Sequence, residues 1–271
     1  MAKPDQSRFN KSSLAPLITL LVVVGLILLL LYLKRQNQPV PQDLTGFNYL
    51  PSANKGQVVQ HQFYTLSYVE EHEQAEWVAY ELTQAEVLAN TDRTDDFRED
   101  PLVITGSASL EDYYRSGYDR GHLAPAGDMG FSDEAMSESF FLSNMSPQDP
   151  AFNRGVWKDL EEDVRDWAVA NGSLYVITGP VFGTNNPKKI GPNGVTVPAY
   201  FYKVLLDYQE PDIKAIAFLL PNESTSQLPI SFVESIDNVE AYTGIDFFPE
   251  LPDDLEARLE QEVQPERWFG R

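Results

Sequence analysis

Residues 15–33 run for nineteen positions without a single charged side chain. At roughly 1.5 Å per helical residue the run spans about 28 Å, close to the hydrocarbon thickness of a bilayer. Lys3, Arg8 and Lys11 precede it, and Lys34 and Arg35 follow it directly. Flanking cations at a chain terminus favour a membrane anchor over a helix buried in a soluble core. A cleaved signal peptide is the stronger rival. Against it, the run exceeds the usual apolar core of such peptides, and Lys34-Arg35-Gln36-Asn37 is no small-residue cleavage site. The three-to-two balance of cations places the short basic tail 1–14 in the cytoplasm and the rest of the chain outside it, in a bacterial envelope. Residues 34–60, with Gln, Asn, Pro and Gly in quantity, read as a tether. Residues 61–271 are then left for one folded domain.

That domain is acidic. The chain carries 41 acidic and 20 basic side chains, a formal charge of -21, which excludes a protein that coats nucleic acid through a basic face. It has no cysteine, so thiol nucleophiles, cysteine-held metals and disulfides are excluded as well. Alternation or short apolar runs predict strands at 63–68, 76–82, 174–181, 200–206 and 213–220. Trp157, Leu160, Val164, Trp167 and Ala168 recur at helical spacing and predict a helix over 153–171, stopped by Asn171-Gly172. Further helices are expected at 232–242 and 253–263. Strands on both sides of a central helix favour an α+β domain.

Three histidines are present, His61, His72 and His122. His72 sits in the run Glu70-Glu71-His72-Glu73 and reads as a surface residue, while His61 reads as structural. His122 lies in Asp119-Arg120-Gly121-His122-Leu123-Ala124-Pro125, where the chain can turn sharply and hold a side chain in a cleft. Asn153 stands at the start of the long helix and on spacing alone is more readily an N-cap than a ligand. Glu161, eight residues on, would lie about 12 Å along a continuous helix. At that separation the two could not both touch one hard cation, although one could act directly and the other through a water.

Three blocks, Asp119-Arg120-Gly121-His122, Asn144-x-x-Pro147-Gln148 and Asn153-x-Gly155-x-Trp157-x-x-Leu160-Glu161, occur in order. In that order and spacing they resemble the DNA/RNA non-specific endonucleases, the family of mitochondrial endonuclease G and secreted bacterial nucleases. The similarity extends through Arg93-x-x-x-Phe97-Arg98-x-Asp100, Thr178-Gly179-Pro180, Val197-Pro198-x-x-x-Tyr202-Lys203 and Thr243-Gly244-x-Asp246-Phe247, covering about residues 60–255.

The resemblance implies the ββα-metal nuclease fold, with a central antiparallel sheet, flanking helices and a catalytic strand–loop–helix unit. It implies His122 as general base towards water, Asn153 as the direct ligand of Mg²⁺ (with Mn²⁺ as a substitute), and Glu161 acting on the ion through a water. Asn144 would position the site, and Arg93, Arg120 and Arg165 would meet phosphate. DNA and RNA would both be substrates, leaving a 5′-phosphate and a 3′-hydroxyl. It also leaves room for a homodimer and for a mitochondrial inner membrane as the alternative location. A non-catalytic protein that keeps the fold to capture nucleic acid, and a phosphodiesterase acting on another diester, are the competing readings. If the resemblance holds, attraction for a polyanion must come from a few placed arginines and the metal, because the surface as a whole repels it.

Overall fold

The computed structural model describes residues 47–51, 55–183 and 186–270. The expected anchor at 15–33 and the basic tail lie outside the described residues. No helix among the described residues is long and apolar enough to cross a membrane.

The chain opens with strands β1 (Gln57–Gln60), β2 (Thr65–Val69) and β3 (Gln74–Thr83), followed by helices α1 (Gln84–Leu88) and α2 (Leu110–Tyr113). Strand β4 (Asp119–His122), helix α3 (Asp133–Ser139), strand β5 (Met145–Gln148), and helices α4 (Pro150–Phe152) and α5 (Lys158–Asn171) come next. Strands β6 (Ser173–Val181), β7 (Lys189–Ile190), β8 (Val195–Thr196), β9 (Tyr200–Asp207), β10 (Lys214–Pro221) and β11 (Val233–Glu234) precede helices α6 (Ile236–Thr243), α7 (Asp253–Gln261) and α8 (Glu266–Phe269). Seven strands form one antiparallel sheet in the order β1-β2-β3-β6-β9-β10-β11. The long strands of the sheet centre are buried almost end to end, so both faces are covered and their sequences read as near-continuous apolar runs. Strand β1 falls in the stretch expected to be a tether, yet it pairs with β2 from Gln57↔Tyr68 to Gln60↔Thr65.

The helix α5 buries the stripe Leu160, Val164, Trp167 and Ala168. Gly172, at φ 94°, ends it, and its N–H donates to the Ala168 carbonyl. Aromatic rings lock its two ends. Phe152, Trp157 and Phe201 cluster with centroids 5.3–5.7 Å apart, and Trp167 packs on Phe218 and Trp268.

Two expected helices start elsewhere. The helix expected from 153 is broken: α4 is capped by Asp149, a π-turn spans Asn153–Trp157, and Gly155 takes non-helical angles (φ −110°, ψ −117°). The regular helix therefore begins at Lys158. The one expected from 232 begins at Ile236, because Pro229–Phe232 forms a 3₁₀ turn and Val233–Glu234 joins the sheet. The break at Gly155 decides the first boundary, and Pro229 with the pairing of Val233–Glu234 decides the second.

Candidate active site

Strand β4 pairs only with β5, in the register Asp119↔Gln148, Arg120↔Pro147, Gly121↔Ser146 and His122↔Met145. A two-stranded ribbon of this size has little stability of its own. What secures it is Asn144, which is fully buried one residue before β5. Its Oδ1 accepts from the Ala124 N–H at 2.9 Å, and its Nδ2 donates to the carbonyls of Ala124 (2.9 Å) and Ser139 (2.8 Å). Its own carbonyl accepts from the Leu123 N–H. The segment leaving His122 is thus stapled by side chain and backbone together, and the amide of Asn144 has no group left over for a substrate. Next to it, Ser143 donates to Asp100 at 2.5 Å, and Asp100 also meets His61 Nε2 at 2.9 Å. Burial pushes the Asp100 carboxyl up, but the hydrogen bonds from His61 and Ser143 more than offset this and hold it below its ordinary value. His61 is therefore structural, as expected.

Successive strand residues point to opposite faces, so Arg120 and His122 share one face and Asp119 and Gly121 the other. His122 packs edge-on to Phe140 (5.0 Å) and beside Phe97 (5.8 Å). Its Nε2 is buried with no partner among the described residues. Nδ1 is left as the nitrogen a water can reach. Burial first, then the charges of Arg93 and Arg120, lower its pKa from the usual 6.5 to about 3. Arg93 lies over the Phe140 ring at 4.8 Å and Arg120 over Phe97 at 4.0 Å. Arg93 pairs with Asp95 at 2.7 Å, and the neighbouring Arg98 is held by the fold. Its guanidinium donates to the Ser137 carbonyl and to Asp96, and it lies over Phe141.

On the other face, Asp119 accepts from Asn153 Nδ2 at 3.0 Å and from Arg154 Nε and NH2 at 2.8 and 2.7 Å. Burial raises the Asp119 carboxyl, and these bonds bring it below its ordinary value. Asn153 has α-helical angles and is not an N-cap; Asp149 fills that role, accepting from the N–H groups of Ala151 and Phe152. With its amide nitrogen tied to Asp119, the Asn153 Oδ1 accepts no hydrogen bond among the described residues. Because the helix breaks at Gly155, the 12 Å estimate for a continuous helix does not describe Asn153 and Glu161. Gly121 admits no side chain: a Cβ there would fall inside the buried amide of Gln148.

Glu161 stands among Lys203, Asp128, Arg165 and Arg93, all within electrostatic reach. Burial pushes its carboxyl up and the Lys203 ammonium down. Arg165 pairs with Asp128 at 2.9 Å, and the other oxygen of Asp128 accepts from Tyr80 at 2.7 Å. Arg165 is therefore partly committed to the scaffold.

Sequence reasoning gave no role to Asp128 or Lys203. Lys203 is buried, donates to Thr178 Oγ1 at 2.7 Å and lies 4.9 Å from the Trp157 ring. Its signal was there to read, a single lysine in the middle of an apolar strand. His72 is a correction. It is half-buried, stacks on Phe182 at 3.7 Å and meets Thr196 Oγ1 at 3.1 Å, so it belongs to packing and not to a solvated acidic run.

The model of the DNA/RNA non-specific endonuclease family matches residues 45–254. The chain belongs to that family. A mitochondrial nuclease EXOG of Danio rerio is 38% identical over 209 residues, which is 70% of this chain and 61% of the relative. The chain thus spans about three fifths of that relative's length. A nuclease of Nostoc sp. is 31% identical over 245 residues, 86% of this chain and 85% of the relative. Among solved structures, one of the EndoG/EndoGI complex, concerned with EndoG inhibition, superposes with a TM-score of 0.67 at 32% identity. It covers 75% of this chain and 89% of that one.

A depressed histidine pKa is also a stability statement. The folded value lies below the ordinary 6.5, so the contribution of neutral His122 is complete above about pH 6.5 and is lost as pH falls towards about 3. An NMR titration of the ring nitrogens should find His122 neutral at about pH 5. A midpoint near 6.5 would contradict the burial of Nε2.

Proposed function

We propose that this chain is a metal-dependent, sugar-non-specific endonuclease that hydrolyses phosphodiester bonds in DNA and RNA. One observation carries the reading. His122 has Nε2 sealed and Nδ1 accessible, on the face of β4 that also carries Arg120 and with Arg93 beside it. An imidazole with one free nitrogen, next to guanidinium groups that can hold a phosphate, is placed to take a proton from water.

In this reading Nδ1 of His122 takes the proton of the water that attacks phosphorus. Arg93 and Arg120, planar and permanently charged, meet the phosphate oxygens as negative charge grows on them. Arg165 contributes charge while its pairing with Asp128 fixes its place. Asn144 acts through position, holding the segment after His122. The attack needs no ribose 2′-hydroxyl, which supports activity on both nucleic acids.

The residues present fit a hard divalent cation such as Mg²⁺. Asn153 offers a neutral oxygen that is free of hydrogen bonds among the described residues and aimed by the Asp119 anchor on its nitrogen. Glu161 has no direct hydrogen bond among them and would act through a water. When bound, the ion supplies charge against the scissile phosphate and the leaving oxygen.

Residues 15–33 are proposed as the anchor, with the nuclease domain outside the cytoplasm. The names of mitochondrial relatives support a mitochondrial membrane as the second location. Protease added to intact cells should remove the domain, and protection would reverse the orientation.

The purified full chain should degrade both plasmid DNA and RNA with Mg²⁺, and EDTA should stop it. His122→Ala should lose at least about 10²-fold in rate. Full activity in that variant would overturn the mechanism, and binding without cleavage by the wild type would favour a capture protein instead.

A further inference from the structure

We propose that the groove at the start of strand β4 is a nucleotide subsite, in which an unpaired base flanking the scissile phosphate stacks on Tyr114 while Arg115 and Arg120 meet its phosphate. The inference rests on the nuclease reading and adds to it a place for the substrate strand and a preference for unpaired bases.

The groove has a volume of about 370 Å³ and is lined by Tyr113, Tyr114, Arg115, Tyr118, Asp119 and Arg120, with Leu110 at its edge. That volume lies within the usual range for small-ligand sites. Asp119 and Arg120 belong to β4 as well, and His122 is two residues on, about 7 Å along an extended strand. A nucleic-acid strand leaving the catalytic histidine therefore enters this groove without a detour.

Each exposed aromatic face is backed by a cation. Tyr114 is 69% exposed, and the Arg115 guanidinium lies 5.1 Å from its ring centroid. Lys188 Nζ lies 4.7 Å from the Tyr118 ring and 3.4 Å from its hydroxyl. A tyrosine next to a cation is the pairing that binds single strands without regard to sequence, because every base has a π-face and every nucleotide a phosphate. The Tyr113 hydroxyl is buried beside the groove with no hydrogen-bond partner among the described residues. Arg115 itself sits at φ 54°, a left-handed conformation that a non-glycine residue seldom adopts and that accumulates at ligand-clamping turns.

Charge distribution supplies the independent argument. Eight of the described arginines and lysines are paired with carboxylates. Arg115, Arg120 and Lys188 are in no such pair, and all three stand at this groove. The other described cations outside ion pairs bond backbone carbonyls, as Lys55 and Lys189 do, or are buried, as Lys203 is. In a chain of charge -21, three of the described cations that have no carboxylate partner stand together where a flanking phosphate would lie.

The test uses the full chain and single-stranded oligonucleotides carrying one abasic residue, with cleavage positions mapped along the strand. The wild type should cut the phosphates flanking the abasic residue about tenfold less than the same phosphates with the base present. In Tyr114→Ala that penalty should disappear, and in Tyr114→Phe it should persist. As a binding readout, a 2-aminopurine oligonucleotide should be quenched by the His122→Ala chain and lose that quenching when Tyr114→Ala is added. No abasic penalty in the wild type, an undiminished penalty in Tyr114→Ala, or unchanged quenching would each overturn the subsite. If the wild type cuts no oligonucleotide, it is the nuclease reading that fails, while the quenching measurement still decides whether the groove stacks a base.

Discussion

The site depends on the buried amide of Asn144. Strand β4 carries His122, yet it is four residues long and has, among the described residues, one neighbour of the same length. Nothing in such a ribbon fixes a side chain to the tolerance that proton transfer requires. The three side-chain hydrogen bonds of Asn144 reach both polar groups of Ala124 and the end of α3 at Ser139, which converts a loose ribbon into part of the core. The bond between Ser143 and Asp100, backed by His61, adds a second tie one residue away. Each of these groups is buried, so each would be costly to leave unpaired. Loss of the amide would therefore release the strand and not merely weaken it.

A second layer of organisation is electrostatic. An acidic member of a nuclease family has to spend its cations sparingly. Some are structural: Arg98 brackets the residues before β5, Arg154 anchors Asp119, and Arg165 is tied to Asp128. Arg93 and Arg120 lie over aromatic rings beside His122, where they lower its basicity. Asp119 links the two halves of the site. It shares a strand with His122 and holds the amide nitrogen of Asn153, so both side chains are placed by one element.

Much of this was legible in the sequence. The apolar stripe of α5, its stop at Gly172 and the long strands of the central sheet follow from periodicity and turn chemistry, which are local. The motif blocks pointed to the family, which its model match bears out. The break at Gly155 was not legible, because a glycine within a helical pattern is tolerated more often than it interrupts one. The N-cap reading of Asn153 failed for a related reason: Asp149 lies four residues earlier and caps better, and only the tertiary bond to Asp119 explains what Asn153 does instead. Lys203, Asp128 and the pairing of His72 with Phe182 depend on contacts between distant strands and loops, which a single sequence does not display.

The central claim is that Asn144 works by holding the strand of His122 and not by touching substrate. Amide hydrogen exchange at Leu123 and Ala124, compared between the wild type and Asn144→Ala, tests it most directly. The account predicts that exchange at these two amides accelerates by orders of magnitude in the variant, while the central strands β3, β6 and β9 stay protected and nuclease activity falls. Unchanged protection at Leu123 and Ala124 in a variant that has lost activity would contradict it, and would mean that Asn144 meets the substrate itself.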